Sequence, residues 1–369
     1  MKYLAYIMII LSLAYLTIYN GYTKADGDSE IGFHITDVAV NRFNCNLSFG
    51  VNDNGTEKIV VTDDSLDEII RFPIMYVPIE YSFSRNGLKM YVGVWDIANQ
   101  SIITGKLIIY DCSNWSTINN IALPHYPVEF YVPNDNSIVY VTCGISDEGK
   151  IKLLKVNTEL YGGIVSRTDF GAAPAKGIVM NHEETKLYVY DGQLYGTYDR
   201  NWEPIETHYE LKVFSPDNLA EIKSIELQYG RVLEMIKGPV GYILIAHGTP
   251  FNDRPASLTV WDTENDVVDR DICIPNLIGC RRLAYDPSRN YVYAICLEEL
   301  EYYDPELDWS YPKGFTLNKI AVIALSDDSI SWTSEFPERV GDIALSPDYS
   351  RLYTVTALPE SQKVFYLDL

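Results

Sequence analysis

A hairpin pattern that recurs through the whole chain constrains the possible folds more than any other feature. Each copy reads as a short apolar strand, a polar turn and a second strand, as in IALSPDYSRLYTVT at residues 343–356 and LAYDPSRNYVYAIC at 283–296. The equivalent residues in the second strands of successive copies are Phe49, Tyr91, Tyr140, Tyr188, Ile243, Tyr293 and Tyr353. A repeat of roughly 50 residues is typical of architectures in which each copy forms one structural unit.

Further strands follow each hairpin. The third strands start at Lys58, Lys106, Lys150, Glu210, Ser257, Lys319 and Lys363. Six copies also have a fourth strand, whereas the last copy ends at Leu369 without one. A sheet that lacks its outer strand leaves an open edge, which a strand from the other end of the chain can close. We therefore predict an all-β, seven-bladed β-propeller whose last blade is closed by an N-terminal strand at about residues 30–35.

The N-terminal residues have the composition of an export signal. Lys2 is followed by an apolar run at residues 3–19 and then by a polar stretch with a Thr-x-Ala pattern that ends at Ala25. This order predicts a signal peptide over residues 1–25. The alternative is a retained membrane anchor, since the run is close to the shortest that spans a bilayer. We expect residues 26–369 to form one extracytoplasmic domain that is secreted, periplasmic or at the cell surface.

The net charge excludes one class of partner. The chain has 29 Lys and Arg against 51 Asp and Glu, a formal charge of −22. Nucleic-acid binding requires a basic surface, so this acidic protein is not expected to bind nucleic acid. No segment after the N-terminal run is long and apolar enough to span a membrane. We expect a monomer.

Propeller topology places the longest connections on one face. Connections from the second to the third strand and from blade to blade leave from this loop face, and the other turns form the opposite hairpin face. The long connections span residues 95–105, 192–209, 247–256 and 297–318. Two of them combine carboxylates with aromatic residues, which include the ligand-binding candidates Tyr198, Trp202, Tyr302 and Trp309. Such surfaces suit a sugar, a cationic ligand or a protein partner. The alternative is that the two loops pack on each other and their acids form a solvated rim.

Basic residues form a second group of candidates. Lys176, Arg231 and Arg281 precede the innermost strands of blades four, five and six, and Arg282 and Arg339 are nearby. Converging cations at a concave channel mouth can hold a carboxylate or phosphate ligand. The alternative is that each one pairs with a carboxylate of the acidic loops.

Motifs for catalysis, haem, nucleotides and calcium are absent from the sequence. We expect neither a metal nor a cofactor. Three histidines, His125, His208 and His247, fall on the loop face, where one could act as a general base beside a carboxylate. The sequence therefore favours a binding protein over an enzyme, with these histidines as the only catalytic candidates.

Six cysteines leave the disulfide pattern open. An exported chain permits disulfides. Cys273 and Cys280 flank one connection between blades and could reach each other. Cys143 and Cys296 occupy equivalent places in distant blades, and we expect them to be separate buried thiols.

The hairpins resemble a known repeat family. SPDYSRLYTV and YDPSRNYVYA, each followed by a strand of the form V-x-V-x-D, are similar to the YVTN-type repeats of surface-layer and periplasmic seven-bladed propellers. Such families include binding proteins of unknown ligand. Together with the loops and cations above, this favours a non-catalytic protein that binds a small ligand, anionic if the cations hold it, or a protein partner at its loop face and channel mouth. Such families also include lactonase-like hydrolases and propeller subunits of quinoprotein amine dehydrogenases, which are the alternatives.

Overall fold

The computed structural model describes most of the chain after the N-terminal segment. It covers residues 34–369 apart from 42–43, 45, 54–55, 75, 97–103, 145–149, 160, 172–176, 199–203, 228–231, 249–255, 305–308 and 357–363. The predicted signal peptide lies outside these residues. The described residues form strands and turns and contain no helix that could cross a membrane.

The strands group into seven antiparallel sheets, named blades one to seven in chain order. Blade one comprises β1 (His34–Val40), β2 (Leu47–Asp53), β3 (Thr56–Thr62) and β4 (Glu68–Pro73); blade two β5 (Val77–Phe83), β6 (Lys89–Asp96), β7 (Thr104–Asp111) and β8 (Thr117–Leu123); blade three β9 (Pro127–Tyr131), β10 (Ile138–Cys143), β11 (Ile151–Asn157) and β12 (Ile164–Phe170).

The remaining blades follow the same order. Blade four comprises β13 (Ile178–Met180), β14 (Leu187–Tyr198), β15 (Pro204–Phe214) and β16 (Glu221–Glu226); blade five β17 (Val232–Lys237), β18 (Tyr242–His247), β19 (Ala256–Asp262) and β20 (Val267–Ile274); blade six β21 (Gly279–Asp286), β22 (Tyr291–Asp304), β23 (Trp309–Ala324) and β24 (Ser329–Trp332); blade seven β25 (Val340–Leu345), β26 (Arg351–Thr356) and β27 (Val364–Asp368). The seven-bladed, all-β architecture predicted from the repeat is confirmed.

The closing strand needs a correction. His34 and Ile35, which the sequence pattern assigns to blade seven, belong to β1 and pair with Asn52 and Val51 of β2. The ladder with β2 extends further than the sequence alignment indicates, so the first blade uses these two residues itself. Residues 30–33 lie outside the described part of the chain, in which blade seven has three strands.

Blades one and seven are nevertheless in direct contact. Val38 and Val60 of blade one share a buried apolar cluster with Tyr353 and Val355 of blade seven. The backbone N–H of Val38 also donates to the Asp342 carboxylate at 3.0 Å. Apolar packing and this hydrogen bond therefore join the first and last blades.

The repeated tyrosine of the second strand joins four of the blades to the next one. Four of these side chains are at least 96% buried, and each hydroxyl donates to a backbone carbonyl in a turn of the following blade. The pairs are Tyr91–Asn136 at 2.9 Å, Tyr140–Pro216 at 2.9 Å, Tyr188–Thr263 at 3.2 Å and Tyr353–Asp64 at 3.3 Å. The sequence repeat therefore marks the contact between blades.

Blade five departs from the sequence alignment by one residue. Leu244, not Ile243, packs against the following blade, whereas Ile243 packs against the preceding one. Lys237 pairs with Ile243 across a five-residue turn, and the turn between Leu345 and Leu352 of blade seven has six residues. The shorter turn shifts β18 by one residue relative to the sequence alignment. Because side chains alternate along a strand, the aligned residue Ile243 therefore faces the opposite side of the sheet.

The buried tyrosines predict a loss of stability at alkaline pH. Burial raises the pKa of Tyr91 and of Tyr140 to about 12, against 10.0 for an exposed tyrosine. The unfolded chain loses these protons first, so the free energy of unfolding should fall as pH rises from 10 to 12. We expect the urea midpoint of a Tyr91→Phe/Tyr140→Phe variant to fall less steeply over this range than that of the parent. An equal slope in both proteins would show that these two phenols are not responsible.

Candidate functional site

The innermost strands of all seven blades surround a central channel of about 760 Å³. Six of these strands carry an irregularity near their start, towards the loop face. The pairing shifts between Ile35 and Val38, Pro78 and Glu80, Pro127 and Glu129, Val232 and Glu234, Arg281 and Leu283, and Val340 and Asp342. A bulge of this kind takes a backbone N–H out of the regular ladder and leaves it in need of another acceptor.

Carboxylates beside the bulges supply such acceptors. Glu80, Glu129, Glu234 and Asp342 each follow a bulge directly. Three of them accept a backbone N–H of the next blade: Asp342 from Val38 of β1, Glu234 from Leu283 of β21, and Glu129 from Gly177, which directly precedes β13. We call Glu80, Glu129, Glu234 and Asp342 the channel carboxylates. The three observed contacts satisfy backbone groups, which is a structural role.

Arg282 links two channel carboxylates across three blades. It is the bulged residue of β21 and has a positive φ of 54°. Its Nε lies 3.1 Å from Asp342 Oδ1 in blade seven, and its Nη1 lies 3.8 Å from Glu234 Oε1 in blade five. The Arg282 side chain is only 13% exposed. This ion network therefore holds blades five, six and seven together at the channel wall.

The cations predicted to bind an anion lie in different settings. Arg339 donates to Thr316 O at 2.8 Å and to Glu298 Oε1 at 3.0 Å. Arg339 is therefore paired with a carboxylate of the connection at 297–318, which is the alternative to binding an anionic ligand. Arg281 is half-buried in β21, opposite Ile295. Lys176 and Arg231 lie outside the described residues, so convergence of the four cations stays a prediction.

The two longest connections are not irregular loops, as the sequence analysis expected, but extended β-hairpins. β14 and β15 pair out to Tyr198 and Pro204, and β22 and β23 pair out to Asp304 and Trp309. We call residues 192–209 the blade-four arm and residues 297–318 the blade-six arm. The aromatic and β-branched residues that made these segments look functional also favour strands. Both arms join second and third strands, so both leave from the loop face.

The predicted aromatic candidates are placed by backbone register. Tyr302 pairs with Tyr311 in the blade-six arm, two positions from the pair of Asp304 and Trp309. Tyr198 ends the described part of β14, and Trp202 lies outside the described residues. The connections at 95–105 and 247–256 also lie mostly outside them. A ligand-binding role for these aromatic residues stays a prediction.

The three candidate histidines belong to different elements. His247 is in β18, opposite Val232 and Ser257, and is 2% exposed. His125 is half-buried in the connection between blades two and three, and His208 lies in the blade-four arm. A general base must reach solvent or substrate, which the burial of His247 prevents in this conformation. No group of three or more metal-binding side chains occurs among the described residues.

A further group of charges, not anticipated from the sequence, lies where the channel opens on the hairpin face. Arg85, His182 and Lys237 line this end. Lys237 Nζ is 3.2 Å from Glu184 Oε1 and lies 5.4 Å from the centre of the Tyr131 ring. Burial lowers the pKa of Lys237, while the contact with Glu184 opposes this shift. The channel therefore has charged residues at both ends.

The repeat alignment contains a signal for the channel carboxylates. Glu80, Glu129 and Asp342 each stand one residue before the aligned hairpins that begin at 81, 130 and 343. Acidic residues at an equivalent place in several blades indicate a shared structural role. The bulges that bring their oxygens to the next blade have no comparable sequence signal.

Comparisons with known proteins agree with the architecture. No family model matches the chain, and no curated protein matches it. Among solved structures, hydrazine synthase of Kuenenia stuttgartiensis is similar with a TM-score of 0.67 and 12% identity, over 91% of this chain and 95% of that chain. A chain of the mitotic checkpoint complex is similar with a TM-score of 0.63 and 10% identity, over 91% and 89%. The Cps50 (Swd1) β-propeller domain of Myceliophteria thermophila has a TM-score of 0.61 and 13% identity, over 88% and 94%. At these identities the likeness shows that the chain has the seven-bladed β-propeller fold.

Proposed function

We propose that this protein is a non-catalytic, extracytoplasmic β-propeller of the YVTN-like type that binds a protein partner with its loop face. The observation that carries the proposal is the pair of arms, in which the second and third strands of blades four and six are longer than the strands described in the other blades. Strands rise about 3.3 Å per residue, so the eight residues from Leu297 to Asp304 can extend roughly 25 Å. Arms of this length offer a partner more surface than short turns do.

The sequence of the blade-six arm indicates the chemistry of the partner. Residues 297–318 contain six carboxylates and one lysine, together with five aromatic residues. Register places the pairs Tyr302–Tyr311 and Asp304–Trp309 in alternation with Tyr303–Ser310. Aromatic residues among carboxylates favour contact with cationic and apolar groups. We therefore expect the partner to present a basic segment with aromatic residues.

Two features of the structure support binding over catalysis. His247 is buried, and the three candidate histidines belong to the blade-two connection, the blade-four arm and blade five. At the loop-face end of the channel, Arg282 and Arg339 already contact carboxylates of the protein itself. A lactonase-like reaction would need an accessible general base beside a site that can admit the substrate. The described residues therefore support partner binding better than this reaction.

A small anionic ligand is the second candidate, and the hairpin-face end of the channel favours it. Arg85 is exposed and lines the channel together with Lys237 and His182. A thermal-shift series with citrate and with inorganic phosphate tests this candidate, because a ligand of the native state raises Tm. A rise that is lost in Arg85→Ala would support it, and an unchanged Tm at saturating anion would rule it out.

We expect removal of the blade-six arm to abolish binding of a basic aromatic probe. The probe is a fluorescent peptide of alternating lysine and tryptophan, and its binding is followed by anisotropy at two salt concentrations. Because Glu298 and Phe315 are register partners, an Asn-Gly turn can replace residues 299–314 and close the shortened hairpin. A second variant joins Gly192 to Tyr209 in the same way, shortens only the blade-four arm, and measures how much that arm contributes to binding.

A charge variant tests the same surface without deletion. Glu299→Gln/Glu301→Gln/Asp304→Asn should weaken the probe about tenfold, because exposed ion pairs contribute roughly 0.5 kcal/mol each. Circular dichroism and Tm should match those of the parent. The proposal is wrong if shortening the blade-six arm leaves the affinity for the probe unchanged. It is also wrong if a peptide of glutamate and tryptophan binds as tightly as the probe.

A further inference from the structure

Two cysteines of blade six are direct neighbours across a pair of strands. Cys280 of β21 is the register partner of Cys296 of β22, between the regular pairs Gly279–Leu297 and Arg281–Ile295. Both side chains are fully buried and belong to the apolar cluster between blades five and six. The two side chains are free thiols in this structure.

The backbone spacing at this pair suits a covalent bond. Directly opposed residues of antiparallel strands have Cα atoms about 4.5–5.5 Å apart, which lies inside the range of about 4.4–6.8 Å seen in disulfides. The other three described cysteines lie elsewhere. Cys143 pairs with Lys152, Cys273 of the outer strand β20 pairs with Ser257, and Cys112 lies in the turn after β7.

We propose that Cys280 and Cys296 are a disulfide-forming pair, joined by a cross-strand bond when the protein folds in an oxidising environment. The oxidant is a low-molecular-weight or protein disulfide. Two thiols lose two protons and two electrons and form one S–S bond, while the oxidant's S–S bond is cleaved to two thiols. This inference goes beyond the proposed binding function and does not depend on it.

Burial determines when the bond forms and how it behaves afterwards. Contact with Cys296 and burial raise the pKa of the Cys280 thiol, and the thiolate is the reactive species. Oxidation should therefore occur before the cluster between blades five and six closes. Once formed, the bond is shielded from reductants for as long as blade six stays folded.

The bond would lie close to two other features of blade six. The bulge at Arg282 lies two residues after Cys280, and the blade-six arm continues directly from Cys296 along β22. A bond at this pair would fix the strand that presents Arg282 to the strand that carries the arm.

The test is thiol mapping of refolded protein. The full chain is denatured, reduced, refolded with a mixture of reduced and oxidised glutathione, then unfolded and alkylated with iodoacetamide. Mass spectrometry of peptides should find Cys280 linked to Cys296 in most molecules. Native protein should keep this bond in dithiothreitol. Protein unfolded in urea should lose the bond when dithiothreitol is added.

Two cysteine variants make the result specific. Cys296→Ser should leave Cys280 alkylated, and the matched Cys143→Ser variant should retain the link. The proposal is overturned if protein with the parent's circular dichroism carries alkyl groups on both Cys280 and Cys296. A bond from Cys280 to Cys273 would overturn it as well.

Discussion

Arg282→Met is expected to lower the free energy of unfolding by about 3–5 kcal/mol, because it removes the cation that lies between one buried and one largely buried carboxylate. Glu234 and Asp342, the two partners, are 15% and 7% exposed as side chains. Methionine keeps most of the apolar volume of the arginine side chain, and the backbone at this position keeps the same positive φ. The loss of stability therefore measures the charge rather than backbone strain or a cavity.

Urea unfolding followed by circular dichroism measures this effect. The matched control is Arg167→Met, since Arg167 is an exposed residue of β12 and its replacement should change stability by less than about 0.5 kcal/mol. Adding Asp342→Asn to Arg282→Met should restore part of the stability, because the amide oxygen can still accept the Val38 N–H. Equal stability of parent and Arg282→Met would contradict the assigned network.

Tyr188→Ala should cost about 3–5 kcal/mol, as is usual when a large aromatic side chain is removed from a core. The Tyr188 ring is fully buried between blades four and five. Its hydroxyl lies 2.6 Å from Asp266 Oδ1 and 3.2 Å from Thr263 O, so its single proton is shared between two acceptors of blade five. The substitution therefore removes packing and a hydrogen bond between two blades at once.

The smaller change Tyr188→Phe separates these two contributions. It keeps the ring and should cost about 1.5–3 kcal/mol, the usual net value of a hydrogen bond to a charged group. The matched control is Tyr161→Ala, because Tyr161 is 93% exposed in a turn of blade three. Differential scanning calorimetry should show a lower Tm for Tyr188→Ala and an unchanged one for Tyr161→Ala. A Tyr188→Phe variant as unstable as Tyr188→Ala would contradict the packing argument.

Much of the fold follows from the sequence because blade contacts repeat. The aligned tyrosines Tyr91, Tyr140, Tyr188 and Tyr353 perform one task, so their spacing reveals the blades. The alignment fails at Ile243, where a turn is one residue shorter than in blade seven. A change in turn length moves a residue to the other face of the sheet but leaves the strand equally apolar. The composition of the strand therefore does not reveal the change of face.

The candidate site is less accessible to sequence analysis. The blade-six arm has no clear period-two pattern, since residues 297–304 read LEELEYYD. Acids and aromatic residues at 297–318 suit a loop as well as a strand, and only the ladder to Trp309 decides between them. Cys280 and Cys296 are sixteen positions apart, and their pairing depends on the register of β21 and β22. Contacts between blades, such as Arg282 with Asp342, depend on bulge geometry that one sequence does not show.

The channel carboxylates bear on how such a ring could change its number of blades. Glu129 and Glu234 each serve the blade that follows, and Asp342 of the last blade serves the first. The acceptors therefore belong to blades three, five and seven, and the donors to blades four, six and one. A duplication that copied an acceptor blade together with the donor blade after it would leave these contacts balanced. Two successive blades, rather than one, are thus the suitable module for gene duplication.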